Sequence, residues 1–245
     1  MKRPSDEPRP FLAHVEELRR RLLWALAALA VGVVISALFT HQVLTWIARP
    51  VGGLENLEAI EVTENLGVFM RVALLGGAIL AMPFIVYQVW QFVTPGLSPL
   101  ERRYVYILAP VATLLFLAGA AFAYFVMLPA AIPALLSVAP IPTRPRPADY
   151  VSFVTNLMFW VGVSFEMPLL VFFLAKVRLV SPRALLRNWR LAVFLIALLA
   201  ALVTPTGDPI NMALVMIPLV LLYGLSILLA YLAYRKPGDQ PEPAL

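Results

Sequence analysis

The residue whose chemistry most needs an explanation is a glutamate inside an apolar run. Glu166 stands in Val163-Ser164-Phe165-Glu166-Met167-Pro168-Leu169. A carboxylate at the centre of a membrane helix costs at least about 2.5–3.5 kcal/mol, so it must face a polar cavity, find a partner or carry a proton. One reading is structural: Glu166 serves backbone groups freed by Pro168, which has no N–H to donate. The other is functional: it is a polar contact in a concave face that receives another chain. No Lys or Arg deep in the apolar runs offers it a structural partner. This favours the functional reading and puts Glu166 on a cavity wall instead of a packed seam.

Three further clusters carry polar chemistry. Glu16 and Glu17 precede Arg19, Arg20 and Arg21 directly before the first apolar run. The arginines are explained by membrane topology alone, whereas acids beside a negatively charged leaflet are not. Glu101-Arg102-Arg103 follows Trp90-Gln91-Phe92-Val93-Thr94-Pro95-Gly96-Leu97. Glu17 and Glu101 fall on one side of the membrane and could form an anionic site for a dibasic segment, since guanidinium pairs bidentately with carboxylate. A solvated helix end is the plainer alternative. Thr204, Thr206, Asp208 and Asn211 lie at the last turn, where Asp208 before Pro209 reads as a helix N-cap and can also serve a contact. His14 and His41 read as interfacial polar side chains. Hydrolase, metalloprotease and phosphate-binding motifs are absent, there is no cysteine, and two histidines cannot build a multi-histidine centre. An enzyme is not expected, nor any cofactor or metal.

The elements that must position these groups follow from composition. Of 245 residues, 61% are hydrophobic and 13% charged, against roughly 45–50% and about 25% in soluble domains. That composition describes an all-α integral membrane protein. Apolar runs predict six transmembrane helices, at about 22–39, 68–90, 105–128, 151–175, 191–204 and 210–232, in one domain over 1–235 followed by a disordered tail, 236–245. Counting Lys and Arg gives fifteen on the N-terminal segment, the 91–104 loop, the 176–190 loop and the tail, and three on the opposite side, with Arg71 near the outer end of the second span. Both termini are therefore expected in the cytoplasm. The same loops account for the net charge of +5, so no nucleic-acid partner is implied. Outward connections carry Glu55, Glu58, Glu61 and Glu64, then Pro129, Pro133, Pro140, Pro142, Pro145 and Pro147, a density that predicts stiff, extended chain. The fifth span, 14 residues or about 21 Å, is shorter than the ~30 Å hydrocarbon core. Pro83, Pro110, Pro168 and Pro218 should bend their helices into a concave bundle.

Phe11-Leu12-Ala13-His14-Val15-Glu16-Glu17-Leu18-Arg19-Arg20-Arg21-Leu22 resembles the N-terminal signature of the TatC family, the multispanning subunit of the twin-arginine protein translocase. Tyr87-Gln88-Val89-Trp90-Gln91-Phe92 with Pro95-Gly96-Leu97, Glu101-Arg102-Arg103, Phe122-Ala123-Tyr124-Phe125, Tyr150-Val151-Ser152-Phe153, Ser164-Phe165-Glu166-Met167-Pro168, and Thr204-Pro205 with Asp208 continue the resemblance in order over residues 11 to 235. It implies six helices with both ends cytoplasmic, a concave shape and short last two helices. It also implies a receptor for signal peptides with two adjacent arginines, which assembles with TatA- and TatB-type single-span proteins and further copies of itself. Such an assembly moves folded proteins using the proton-motive force. By the resemblance, Glu17 and Arg19 belong to the N-terminal recognition region, Glu101 and Arg103 to the signal site of the first cytoplasmic loop, and Phe92 and Pro95 to that loop's shape. Glu166 matches a buried glutamate of the fourth helix, Glu64 an outer-loop acid, and Asp208, near Thr204 and Asn211, the acid between the last helices.

Two positions depart from the pattern: Met212 stands where the family often has Gln, and Gly224 where it often has Glu. Both lie on the sixth helix, where partners are expected to bind. A proton-coupled small-solute carrier using Glu166 is the alternative function. The lack of an internal repeat and of a pair of broken helices weighs against it.

Overall fold

The computed structural model describes residues 11–94, 99–137, 144–204 and 209–234, with only the backbone for 11–13, 99–105, 210 and 211. The described residues are helical, without strands. They form α1 (Phe11–Leu38), α2 (Thr40–Ile47), α3 (Glu64–Val93), α4 (Pro99–Phe122), α5 (Leu128–Leu136), α6 (Pro147–Phe165), α7 (Met167–Lys176), α8 (Pro182–Arg187), α9 (Trp189–Val203) and α10 (Pro209–Ala233). Five stretches are long and apolar enough to cross a membrane: His14–Leu38, Glu64–Val93, Tyr106–Leu136, Pro147–Lys176 and Met212–Ala233. The sixth apolar helix, α9, has 15 residues, about 22 Å at 1.5 Å per residue.

The expectation of two short final helices applies to α9 alone. Helix α10 runs for 25 residues, because its apolar sequence is interrupted only by Pro218, and one missing donor bends a helix without ending it. A second correction concerns the proline-rich connection. Pro129 and Pro133 lie inside helix α5 instead of in extended chain. A single π turn, Ala123–Met127, precedes them, in which Leu128 N–H reaches the Ala123 carbonyl. The wider turn sits where the Pro129 ring would otherwise press on the carbonyl four residues earlier. Pro140 and Pro142 lie outside the described residues, as does the tail 236–245.

Packing follows from small residues. Helix α1 lies along α3, α4 along α6, and α7 along α10. At the first crossing a Cβ on Gly32 would stand 2.6 Å from the Gly77 carbonyl oxygen, and one on Gly77 2.6 Å from the Val33 nitrogen, so the two backbones touch. At the second crossing Gly119 and Gly162 admit Phe165 and Phe116 in the same way. The core between α3, α5, α6, α9 and α10 holds Leu128, Leu157, Val203 and Leu219, all essentially inaccessible. Two tyrosines fasten α2 to it, Tyr124 donating to the Trp46 carbonyl at 2.7 Å and Tyr150 to that of Ile47 at 2.8 Å. These are carbonyls that a helix C-terminus leaves without a partner of its own. The outer faces of α1, α9 and α10 present Val34, Leu38, Leu198, Leu202, Leu221 and Leu232 to their surroundings, as a lipid solvent permits.

Candidate functional site

At the end of the bundle where α1 begins and α3 finishes, two helix faces meet. His14, Glu17 and Arg21 share one face of α1 by their three- and four-residue spacing, and Gln88 and Phe92 share one face of α3. The His14 ring stacks on Phe92, with centroids 4.4 Å apart and planes 25° from parallel. Arg21 donates through Nη2 to Glu17 Oε1 at 3.4 Å and through Nη1 to Gln88 Oε1 at 3.2 Å. Glu17 and Gln88 are both buried. The structure thus brings Glu17 and Phe92 into one assembly, while Glu16 and Arg19 are exposed on the adjoining face of α1. Glu101 and Arg103 lie in the first turns of α4, at the same end. Their side chains, and all of Pro95, lie outside the described residues.

Glu166 interrupts the fourth apolar stretch: α6 ends at Phe165, α7 begins at Met167, and Pro168 fills a first-turn position of α7. The Glu166 N–H bonds the Val163 carbonyl at 3.1 Å and its own carbonyl accepts from Leu170 at 2.9 Å, so the chain turns tightly and resumes. The side chain lines a cavity of about 440 Å³ between α3, α4 and α7. Met82, Val86, Val89, Val93, Leu170 and Leu174 are among the apolar residues of its wall, and its far end reaches Leu179 beyond α7. Oε1 is buried with no hydrogen-bond partner among the described residues. Trp90, packed edge-on against Phe173 with centroids at 4.7 Å, closes the wall that faces α7. The cavity therefore extends from Glu166 to the last turn of α3, one residue from Phe92.

The remaining site residues lie at other places. Glu64, the first residue of α3, is buried. Its Oε1 accepts from the Ala148 N–H at 2.9 Å and its Oε2 from that of Ile60 at 3.1 Å. It thereby caps the N-terminus of α6 from another helix. Arg146, just before α6, bridges Glu61 at 3.1 Å and Glu64 at 3.5 Å. Its hydrogen bond to Glu61 and the charge of Glu64 hold the guanidinium above its usual pKa. Thr204 is buried, and its hydroxyl donates to the Ala200 carbonyl at 2.8 Å, within its own helix. Asp208, with its expected N-cap role, and the Asn211 side chain lie outside the described residues.

Residues 13–218 match the family model described as Sec-independent protein translocase protein (TatC). The chain belongs to the TatC family. It is 35% identical over 237 residues to a TatC of Koribacter versatilis, covering 92% of this chain and 86% of the relative. To a TatC of Deinococcus radiodurans it is 36% identical over 252 residues, covering 98% and 93%. To the TatCd of Bacillus subtilis it is 35% identical over 227 residues, covering 92% and 93%. A crystal structure described as the twin-arginine translocase receptor TatC superposes with a TM-score of 0.83 at 34% identity, covering 91% of this chain and all of that one. The chain is accordingly a membrane subunit of a protein translocase that works with other Tat components, and it is not an enzyme.

Three residues at these TatC sites carry roles that sequence reasoning did not assign. Arg21 appeared as one of three topogenic arginines, yet it ties Glu17 to α3. Gln88 had no local signal beyond being a polar residue in an apolar helix. Arg146 appeared only as loop charge, and its acids precede it by 85 and 82 residues.

Proposed function

We propose that this TatC-family chain is the signal-peptide receptor and core assembly subunit of a twin-arginine translocase. In this reading both termini are cytoplasmic and six spans cross the membrane, with α9 crossing a locally thinned bilayer. The supporting observation is the continuity of α3. One face of its last turns holds Phe92 and Gln88 against His14 and Arg21, and another walls the cavity that ends at Glu166. A peptide whose paired arginines meet Glu17 and Glu101, with Arg19 and Arg103 as charged neighbours and Phe92 and Pro95 shaping the loop, has an apolar path beside it for its following segment. Glu17 already binds one guanidinium, that of Arg21. An arriving arginine therefore competes with or joins an existing pair.

Glu64, Thr204, Asp208 and Asn211 belong to the opposite end, where Glu64 fixes the outer connections. The extensive unpaired apolar faces of α1, α9 and α10 suit single-span TatA- and TatB-type helices and further copies of this chain in a cytoplasmic membrane. Transport of folded cargo, as the family resemblance implies, then draws on the proton-motive force. The test is photocrosslinking of a twin-arginine peptide, against a twin-lysine control, to Glu17→Ala and Glu101→Ala forms in membranes. The expected result is a loss of roughly tenfold in each, the size of a lost charge-assisted pair. Undiminished crosslinking at normal protein levels would overturn the reading.

A further inference from the structure

We propose that the groove between α3 and α6 beside Arg71 binds the phosphate diester of an anionic phospholipid. Arg71 is exposed on α3 and makes no hydrogen bond or ion pair among the described residues. It lines a groove of about 360 Å³ whose opposite wall, on α6, carries Ser152, Thr155 and Asn156. No acidic residue lines this groove. Glu61 and Glu64, the acids at this end of α3, are bound by Arg146. The Thr155 hydroxyl donates to the Val151 carbonyl at 2.7 Å, whereas Ser152 and Asn156 keep their side-chain donors for a ligand.

Depth selects the occupant. Helix α3 has 30 residues, about 45 Å, so centred on a ~30 Å hydrocarbon core it would overhang by about 7 Å at each end. Arg71 stands seven residues, about 10 Å, from the Glu64 end, which puts its Cα only about 3 Å inside the core. A side chain of that length reaches the phosphate layer. A fixed cation there, without a protein acid, takes a headgroup whose phosphate has no ammonium of its own. The two polar residues on α6 supply donors to the remaining phosphate oxygens. The apolar floor of the groove, Leu29, Leu74, Leu75, Ala78 and Phe159, runs alongside and seats an acyl chain.

Native mass spectrometry of the delipidated chain, titrated with phosphatidylglycerol or phosphatidylcholine, reads the site. One phosphatidylglycerol should be retained preferentially. Its affinity should fall roughly tenfold in Arg71→Gln, as one charge-assisted contact is lost, and remain near wild type in Arg71→Lys. Asn156→Ala, at an exposed position, should weaken it a fewfold, and this holds the proposal to account even where Arg71→Gln fails to fold. Equal retention of the two lipids, or unchanged affinity in Asn156→Ala and in every folded Arg71 variant, overturns it. Displacement by millimolar glycerol 3-phosphate would show a site for a soluble phosphate and overturn the lipid assignment. So would a photocrosslinker at Asn156 that captures protein and no lipid in membranes.

Discussion

Arg21 on α1 donates to Gln88 on α3 at 3.2 Å across 67 residues of sequence, and the same guanidinium holds Glu17. The first helix is thereby fixed in rotation as well as in position, with its acid turned toward α3.

Replacing Gln88 by Leu leaves Arg21 Nη1 without its acceptor in a half-buried place. The expected cost is about 1–2 kcal/mol of stability, together with weaker twin-arginine peptide binding. Thermal melting of the detergent-purified protein checks the first effect and peptide crosslinking the second. A normal melt with normal crosslinking would show that Glu17 needs no such support.

Glu166 tests the cavity. Its buried oxygen has no partner among the described residues, so Glu166→Leu removes an unpaired polar group and should leave the melting temperature unchanged or raised. Glu166→Gln keeps size and polarity and should fold normally. Both should impair export in cells. A sharply lower melt for Glu166→Leu with normal export by Glu166→Gln would make the residue a structural hydrogen-bonding group.

The glycines predict opposite outcomes. Gly77→Leu drives a side chain into the backbone of Val33 and should cost at least about 1–3 kcal/mol or prevent folding. A Cβ on Gly224 meets nothing within 4 Å. Gly224→Ala should therefore raise stability by about 0.5–1 kcal/mol through helix propensity. Scanning calorimetry of the two variants distinguishes them, and equal effects would contradict the α1–α3 contact.

The helix count and orientation are open to labelling in this cysteine-free chain. Cysteine at exposed Ser137 should react with an impermeant reagent from outside and cysteine at exposed Ala184 only after the cytoplasmic side is opened. Reversed accessibility at either position would refute the proposed orientation.

The apolar runs were legible because a bilayer demands about twenty residues at once, but helix ends were not: the run read at 105–128 continues through α4 and the π turn into α5, and the one read at 151–175 is broken between α6 and α7. Helix α2 escaped notice, since its eight residues follow α1 after a single break at Phe39 and give no period of their own. The π turn was invisible because one extra residue does not disturb an all-apolar stretch. Glu166 and Glu17 stood out as acids in costly places. The groups that hold Glu17 and Glu64 in place did not, because the Arg21–Gln88 and Arg146–Glu64 contacts are closures between remote segments. Nothing in the local spacing of a chain records which helix lies beside which.

The break at Glu166 divides one membrane-spanning stretch into two rods with different moorings. Helix α6 is fastened to α4 and α3, and α7 to α10. Pro168 has no N–H for the Ser164 carbonyl, so bending stiffness is lowest at this joint. A load on α10 reaches the cavity wall formed by Leu170 and Leu174 chiefly through α7, on which α10 packs far more extensively than on α6. The Glu166 carboxylate therefore sits at the fulcrum of the stretch, where a small angular strain at one end becomes a change of cavity width at the other.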